Sequence, residues 1–198
     1  MTETPTPHPI EQVGVMLTEL LQRVSLFRLL RAIDSDLARD KREQRCPHCG
    51  GPLHQSNYVR KPRGGPPTIP EAYLIRESLC CGREGCRKRT LPPSCLFMGR
   101  RVYWGCVILV VMALRQKRPE GASARKLQIL FEISRSTLAR WFAYFKGEFP
   151  RSAGWQRLRG RVISRVENER LPTSLLECFL DEAETAERGL VNCLSFLS

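Results

Sequence analysis

At 198 residues, 42% of them hydrophobic, the chain is long enough for one or two small cores and too apolar to stay unfolded. The formal net charge of +12 points to a polyanionic partner, nucleic acid before a membrane surface. The charge is uneven: residues 1–45 are neutral, residues 46–165 carry 23 Lys/Arg against 6 Asp/Glu, and residues 166–198 are net acidic.

The N-terminal "MTETPTPHPIEQ" lacks the charged-then-apolar order of an export signal, so the nine cysteines are read as reduced thiols and metal is favoured over disulfides. Apolar residues then recur at Val13, Met16, Leu17, Leu20, Leu21, Val24, Phe27, Leu30, Ile33 and Leu37, the spacing of one or two amphipathic helices over residues 1–44. That stripe serves either as a core-packing face or as a surface for self-association or a protein partner.

From Arg45 to Pro93 the helical periodicity stops, and glycines and prolines punctuate short strand-like runs such as "LHQSNYVRK" and "AYLIRESLCC". Here Cys46 and Cys49 form a C-x2-C knuckle, and Cys81 and Cys86 supply a second pair at C-x4-C spacing. Each spacing belongs to structural zinc sites, in which short glycine-bearing turns aim two thiolates at one ion. Gly50, Gly82 and Gly85 stand where such turns need them. Two knuckles joined by a β-hairpin make a zinc ribbon (residues 45–100), too small for a self-sufficient core, so that the metal supplies much of its folding energy. Cys81 is preferred over Cys80, which would need a longer spacer. His48 and His54 are read as surface residues, and Cys95, Cys106, Cys178 and Cys193 as small buried hydrophobes.

The apolar run "VYWGCVILVVMAL" is too short to span a bilayer, for which about 20 residues are needed, and is read as a buried helix. Helical periodicity continues beyond it, with interruptions at "RPEG" and "GEFPRSAG". In "SARKLQILFEISRSTLARWFAYF", Leu127, Phe131, Ile133, Leu138 and Trp141 match the core of two short helices meeting at a sharp turn, with Ser134 capping the second. This is the pattern of a helix-turn-helix over residues 101–150. It departs from that pattern at Glu132, where the turn commonly has Gly, and at Gln128, where the first helix commonly has Ala. The second helix would offer Arg135, Ser136, Thr137 and Arg140 to DNA, arginine bonding guanine and the hydroxyls reaching phosphates or base edges. Residues 151–198 form a helical, acidic C-terminal segment, in which "DEAETAE" (Asp181 to Glu187) is read as a solvated helix face.

The order "CPHCG", "CCGREGCRKR", "GRRVYWG", apolar helix and helix-turn-helix resembles the N-terminal DNA-recognition region of bacterial insertion-sequence transposases, over roughly residues 45–150. The resemblance implies that Cys46, Cys49, Cys81 and Cys86 hold one zinc ion and that Arg135 to Arg140 face the element's DNA. Those transposases continue into a ribonuclease-H-like domain with three separated metal-binding carboxylates, for which residues 151–198 have no room. The expected fold is therefore α+β, mostly α, with a small β zinc ribbon between the N-terminal helices and the helix-turn-helix.

The expected function is non-enzymatic: a cytoplasmic, nucleoid-associated, zinc-dependent protein that binds duplex DNA and no membrane. Arg60, Lys61, Arg63, Arg87, Lys88, Arg89, Arg100 and Arg101 would meet the phosphate backbone. A metal-dependent nuclease or transposase enzyme and an RNA-binding adaptor are the competing readings.

Overall fold

A computed structural model describes residues 9–98, 102–117, 123–162 and 164–198. The fold is α+β and mostly α. Two helices, α1 (Pro9–Leu20) and α2 (Val24–Glu43), open the chain, and five short strands follow: β1 (Leu53–Gln55), β2 (Tyr58–Val59), β3 (Ile75–Arg76), β4 (Leu79–Cys81) and β5 (Arg89–Thr90). Six more α-helices follow among the described residues: α3 (Gly105–Lys117), α4 (Ala124–Leu130), α5 (Arg135–Ala143), α6 (Ala153–Leu158), α7 (Thr173–Asp181) and α8 (Ala186–Leu197).

The apolar run becomes α3, and every residue from Gly105 to Leu114 is buried. A helix apolar on all sides needs neighbours on all sides. They come from both ends of the chain: α1 precedes it, α5, α7 and α8 follow it, and all four pack against it. One continuous hydrophobic cluster runs from Leu17 to Phe196. No helix among the described residues is long and apolar enough to cross a membrane.

The N-terminal stripe packs into this core through Leu17, Leu20, Leu21, Phe27 and Leu30. Met16 departs from expectation and is 46% exposed, because the helix breaks after Leu20 and the buried stripe on α1 is narrower than the sequence pattern. On α2 the buried line takes in Leu26, Phe27, Leu30, Asp34 and Ala38, so a carboxylate lies within an otherwise apolar face.

The strands make one long antiparallel hairpin with an extra strand. β1 pairs with β4 in the register Leu53–Cys81, and β2 pairs with β3 in the register Tyr58–Arg76. Between these ladders Ser56 N donates to Ser78 O at 2.7 Å and Ser78 N to the Asn57 side chain at 3.0 Å. β5 then joins the free edge of β4.

The ribbon is tied to α2 by buried charges. Arg31 pairs with Glu77 at 2.6 Å, and Asp34 accepts hydrogen bonds from Ser94 Oγ and from the backbone N–H of Cys95. Its loop, residues 60–74, turns back onto the helices. Arg63 N donates to Val102 O at 2.8 Å, and Gly64 and Gly65 lie so close to Val107, Phe131 and Trp104 that a Cβ on either would press into them.

Two further expectations need correction. The acidic run Asp181–Glu187 is not one helix face: it ends α7, forms the turn and begins α8, with Thr185 capping Arg188 N. The "GEFPRSAG" interruption is also milder than its Gly and Pro suggest, since a π-helical turn (Tyr144–Glu148) and a 3-10 turn (Phe149–Arg151) carry the winding from α5 towards α6. The "RPEG" interruption lies outside the described residues, as do Arg100 and Arg101.

Candidate metal centre and nucleic-acid interface

Each pair of cysteines sits on a tight turn. In the first, Gly50 N donates to Cys46 O and Cys46 N to Gly51 O, both at 2.9 Å, with Gly50 at φ 67°, a left-handed conformation that costs glycine nothing. In the second, Cys81 ends β4, Cys86 N donates to Arg83 O at 3.2 Å, and Gly85 lies at φ 83°. Gly82 N, donating to Pro52 O at 2.9 Å, fastens the second turn to the chain beside the first.

These turns bring four sulfurs together. Cys46, Cys49, Cys81 and Cys86 place their Sγ atoms all within 4.8 Å of one another, with Cys46–Cys86 at 3.8 Å and Cys49–Cys81 at 3.4 Å. A tetrahedral ion about 2.3 Å from each sulfur sets sulfur–sulfur separations of about 3.8 Å, so the quartet fits a metal ion. It is the one such group of three or more His, Cys, Asp or Glu among the described residues.

Gly51 completes the cradle, although the spacing argument passed over it. A Cβ there would stand 3.1 Å from Cys81 Sγ and 3.3 Å from Cys49 Sγ, crowding two of the four sulfurs. The Gly50-Gly51 pair after the first knuckle was its only signal. Cys80 is excluded by strand alternation: its Sγ faces away from the quartet, donating to Arg87 O at 3.4 Å. His48 and His54 are exposed.

The thiols are not equivalent. The Gly51 N–H, followed by the Cys81 thiol, pulls Cys49 down to about 7. At Cys81 the Arg83 N–H favours the thiolate, but burial and the three neighbouring sulfurs outweigh it and push the group up to about 12. Four sulfurs this close cannot all ionise without a cation among them. Arg83, also absent from the sequence-derived set, spans both turns: its N–H reaches Cys81 Sγ at 3.4 Å and its guanidinium donates to Cys49 O at 3.0 Å. Elsewhere Cys95, Cys106, Cys178 and Cys193 are buried, and burial raises all four thiols, Cys106 to about 12.

The helix pair α4–α5 forms around Leu127, Phe131, Ile133, Leu138 and Trp141, all buried. Ser134 caps α5, accepting from Thr137 N at 3.1 Å, and Ser123 caps α4 in the same way. Glu132 occupies the turn at φ 51°, so a non-glycine residue holds the left-handed position. Tyr103 braces it from outside: its hydroxyl donates to Glu132 O at 2.9 Å while its ring meets Trp141 edge-on at 4.9 Å.

Of the residues expected to face DNA, Arg135, Ser136 and Arg140 are exposed, whereas Thr137 is half-buried and accepts from Arg140 at 3.0 Å. Arg63 of the ribbon loop shares one cleft with Ser134, Thr137 and Arg140. The structure therefore joins residues some 70 positions apart in sequence into one surface, with two arginines and, from the turn, Glu132.

Arg135 opens instead into a different groove, next to the end of α3. Arg60 lies over the Phe97 ring at 5.2 Å, and Lys61 is exposed beside it in sequence. Arg87, Lys88 and Arg89 stand at the metal end of the ribbon, where Arg89 bonds Ser56 at 3.2 Å and covers the Tyr58 ring.

Fold and site together define a four-cysteine ribbon docked on a helical core that carries a capped helix-turn-helix pair. No family model, curated protein or solved structure matches this chain.

Proposed function

We propose that the chain is a zinc-dependent DNA-binding protein of the transposase type, reading duplex DNA with α5 and holding the backbone with its basic ribbon. The observation that carries this reading is the shared cleft of Arg63, Ser134, Thr137 and Arg140. A residue from the loop and the exposed start of a capped helix converge there, as required to enter a major groove while gripping its phosphate edge.

The four thiolates hold one structural zinc ion. Sulfur donors favour it, and a closed tetrahedral shell leaves no position for water or substrate. The ion's task is then to fix the ribbon, and through it the loop that bears Arg63. The protein works without catalysis, in the cytoplasm with the nucleoid, as an accessory or remnant recognition unit of a mobile element.

Selection of bound fragments from a random duplex library tests the reading. An enriched motif, bound with an affinity that falls steeply with salt, is the expected result. Absence of enrichment, with structured RNA outcompeting duplex at equal salt, would replace it with the RNA-adaptor reading. Metal-dependent cleavage of supercoiled DNA would replace it with the nuclease reading.

A further inference from the structure

A second groove, of about 870 Å³, lies on the opposite flank of α5 from the Arg63 cleft, bounded by the end of α3, by α4 and by the segment leading into α7. Its long wall is one stripe of α5, Arg135, Leu138, Ala139 and Phe142, at the i, i+3, i+4, i+7 spacing of a single helix face. Leu138 is buried at its floor, but Phe142 is 44% exposed and presents an aromatic ring that the core does not use.

The cations around this groove fall into two groups. Lys117 and Arg170 are answered by Glu177, at 3.2 and 2.7 Å. Arg115, Arg125 and Arg135 have no acidic partner among the described residues, and they reach the groove from three different helices. Three arginines lining one groove suit a phosphate, which arginine can bind with paired N–H donors. Arg135 and Phe142 stand about 10 Å apart along the helix axis, a span that a nucleotide bridges once the arginine side chain reaches towards it. Glu169, on the opposite wall, supplies an acceptor for sugar hydroxyls.

We propose that this groove binds one nucleotide unit, its phosphate among Arg115, Arg125 and Arg135 and its base stacked on Phe142, as a site separate from the duplex cleft of Arg140 and Arg63. The unit is either a free nucleotide or one residue of a single strand, because both present the same phosphate, sugar and base.

Calorimetric titration of the full-length, metal-loaded protein with adenosine 5′-monophosphate, adenosine, inorganic phosphate and an eight-nucleotide oligothymidylate tests this. The nucleotide should bind about tenfold or more tightly than adenosine or phosphate alone, because each of these makes only half of the contacts. Phe142→Ala should weaken nucleotide binding about tenfold and phosphate binding far less; Arg125→Gln should weaken both. Arg188→Ala, which removes an equal charge from α8, should change neither.

Oligothymidylate that binds more tightly than the mononucleotide, with the same dependence on Phe142, identifies a strand as the occupant. Oligothymidylate that fails to compete identifies a free nucleotide. The proposal is overturned if neither ligand binds, if phosphate alone binds as well as the nucleotide, or if Phe142→Ala and Arg125→Gln leave binding intact. Duplex binding measured on the same preparations is a separate readout, so failure of this groove and failure of duplex recognition are told apart.

Discussion

Asp34 Oδ1 accepts a 2.7 Å hydrogen bond from the backbone N–H of Cys95, 61 residues further along the chain. The bond closes α2 onto the segment that leaves the ribbon, and Ser94 Oγ bonds the second carboxylate oxygen. Burial raises the pKa of Asp34 above 3.8, against the opposing effects of these hydrogen bonds and of Arg76. The folded state therefore holds this proton more tightly than the unfolded chain. The group's contribution to stability is complete below 3.8 and is lost as pH rises through the raised value.

Asp34→Ala should cost about 3 kcal/mol, because the Cys95 N–H and the Ser94 hydroxyl lose their acceptor inside the protein. Asp34→Asn, which keeps an acceptor and never ionises, should cost less. Its deficit relative to the parent should be largest at acid pH and shrink towards neutrality. Urea unfolding of both variants across pH checks this, and a deficit that grows with pH would refute the assignment.

Metal content should follow the quartet. Elemental analysis should find one zinc ion per chain, lost in Cys49→Ser and Cys86→Ser and retained in Cys178→Ser. Gly51→Ala should lower metal affinity about tenfold, since its methyl group crowds two ligand sulfurs without removing any. Unchanged metal in both ligand variants would remove the centre.

Glu132→Gly tests the turn. At φ 51° a side chain is strained, and glycine should stabilise the fold by about 1 kcal/mol despite its greater freedom when unfolded. The bond from Tyr103 survives because it goes to the backbone carbonyl. Thermal unfolding is the measurement, and a loss of stability would show that the Glu132 side chain has a role of its own.

Recognition and attraction should separate on DNA. Arg140→Ala should cost about 1 to 3 kcal/mol on a selected site and narrow its advantage over random duplex. Arg63→Ala and Lys88→Ala should weaken all duplexes alike and make the salt slope shallower by about one each. Equal losses for all three on every sequence would leave a basic surface without readout.

The quartet and the α5 cap were legible because each rests on neighbours in sequence: cysteines a few residues apart, and Ser134 with Thr137. The burial of α3 was legible because nine successive apolar residues, Cys106 to Leu114, admit no solvent face. Asp34 was harder to find. In "IDSDLARD" it looks like one solvated acid among several, although it stands in phase with Phe27, Leu30 and Ala38, and its partners come from a distant loop. The groove beside Arg135 was beyond reach for the same reason. Its walls come from α3, α4, α5 and the approach to α7, and no local pattern records that they meet. Met16 erred in the opposite direction, since apolar spacing alone does not show where a short helix turns away.

The enclosure of α3 bears on how the chain is made. During synthesis α1 and α2 emerge first, and the ribbon can close as soon as Cys86 clears the ribosome and a metal ion is at hand. The run Cys106–Leu114 emerges next, but α7 and α8, which cover much of it, are translated last. For that interval the most apolar stretch of the protein lacks its cover. A nascent chain in that state is a natural client for chaperones, and stalling or truncation before α7 should yield aggregates instead of a smaller folded product.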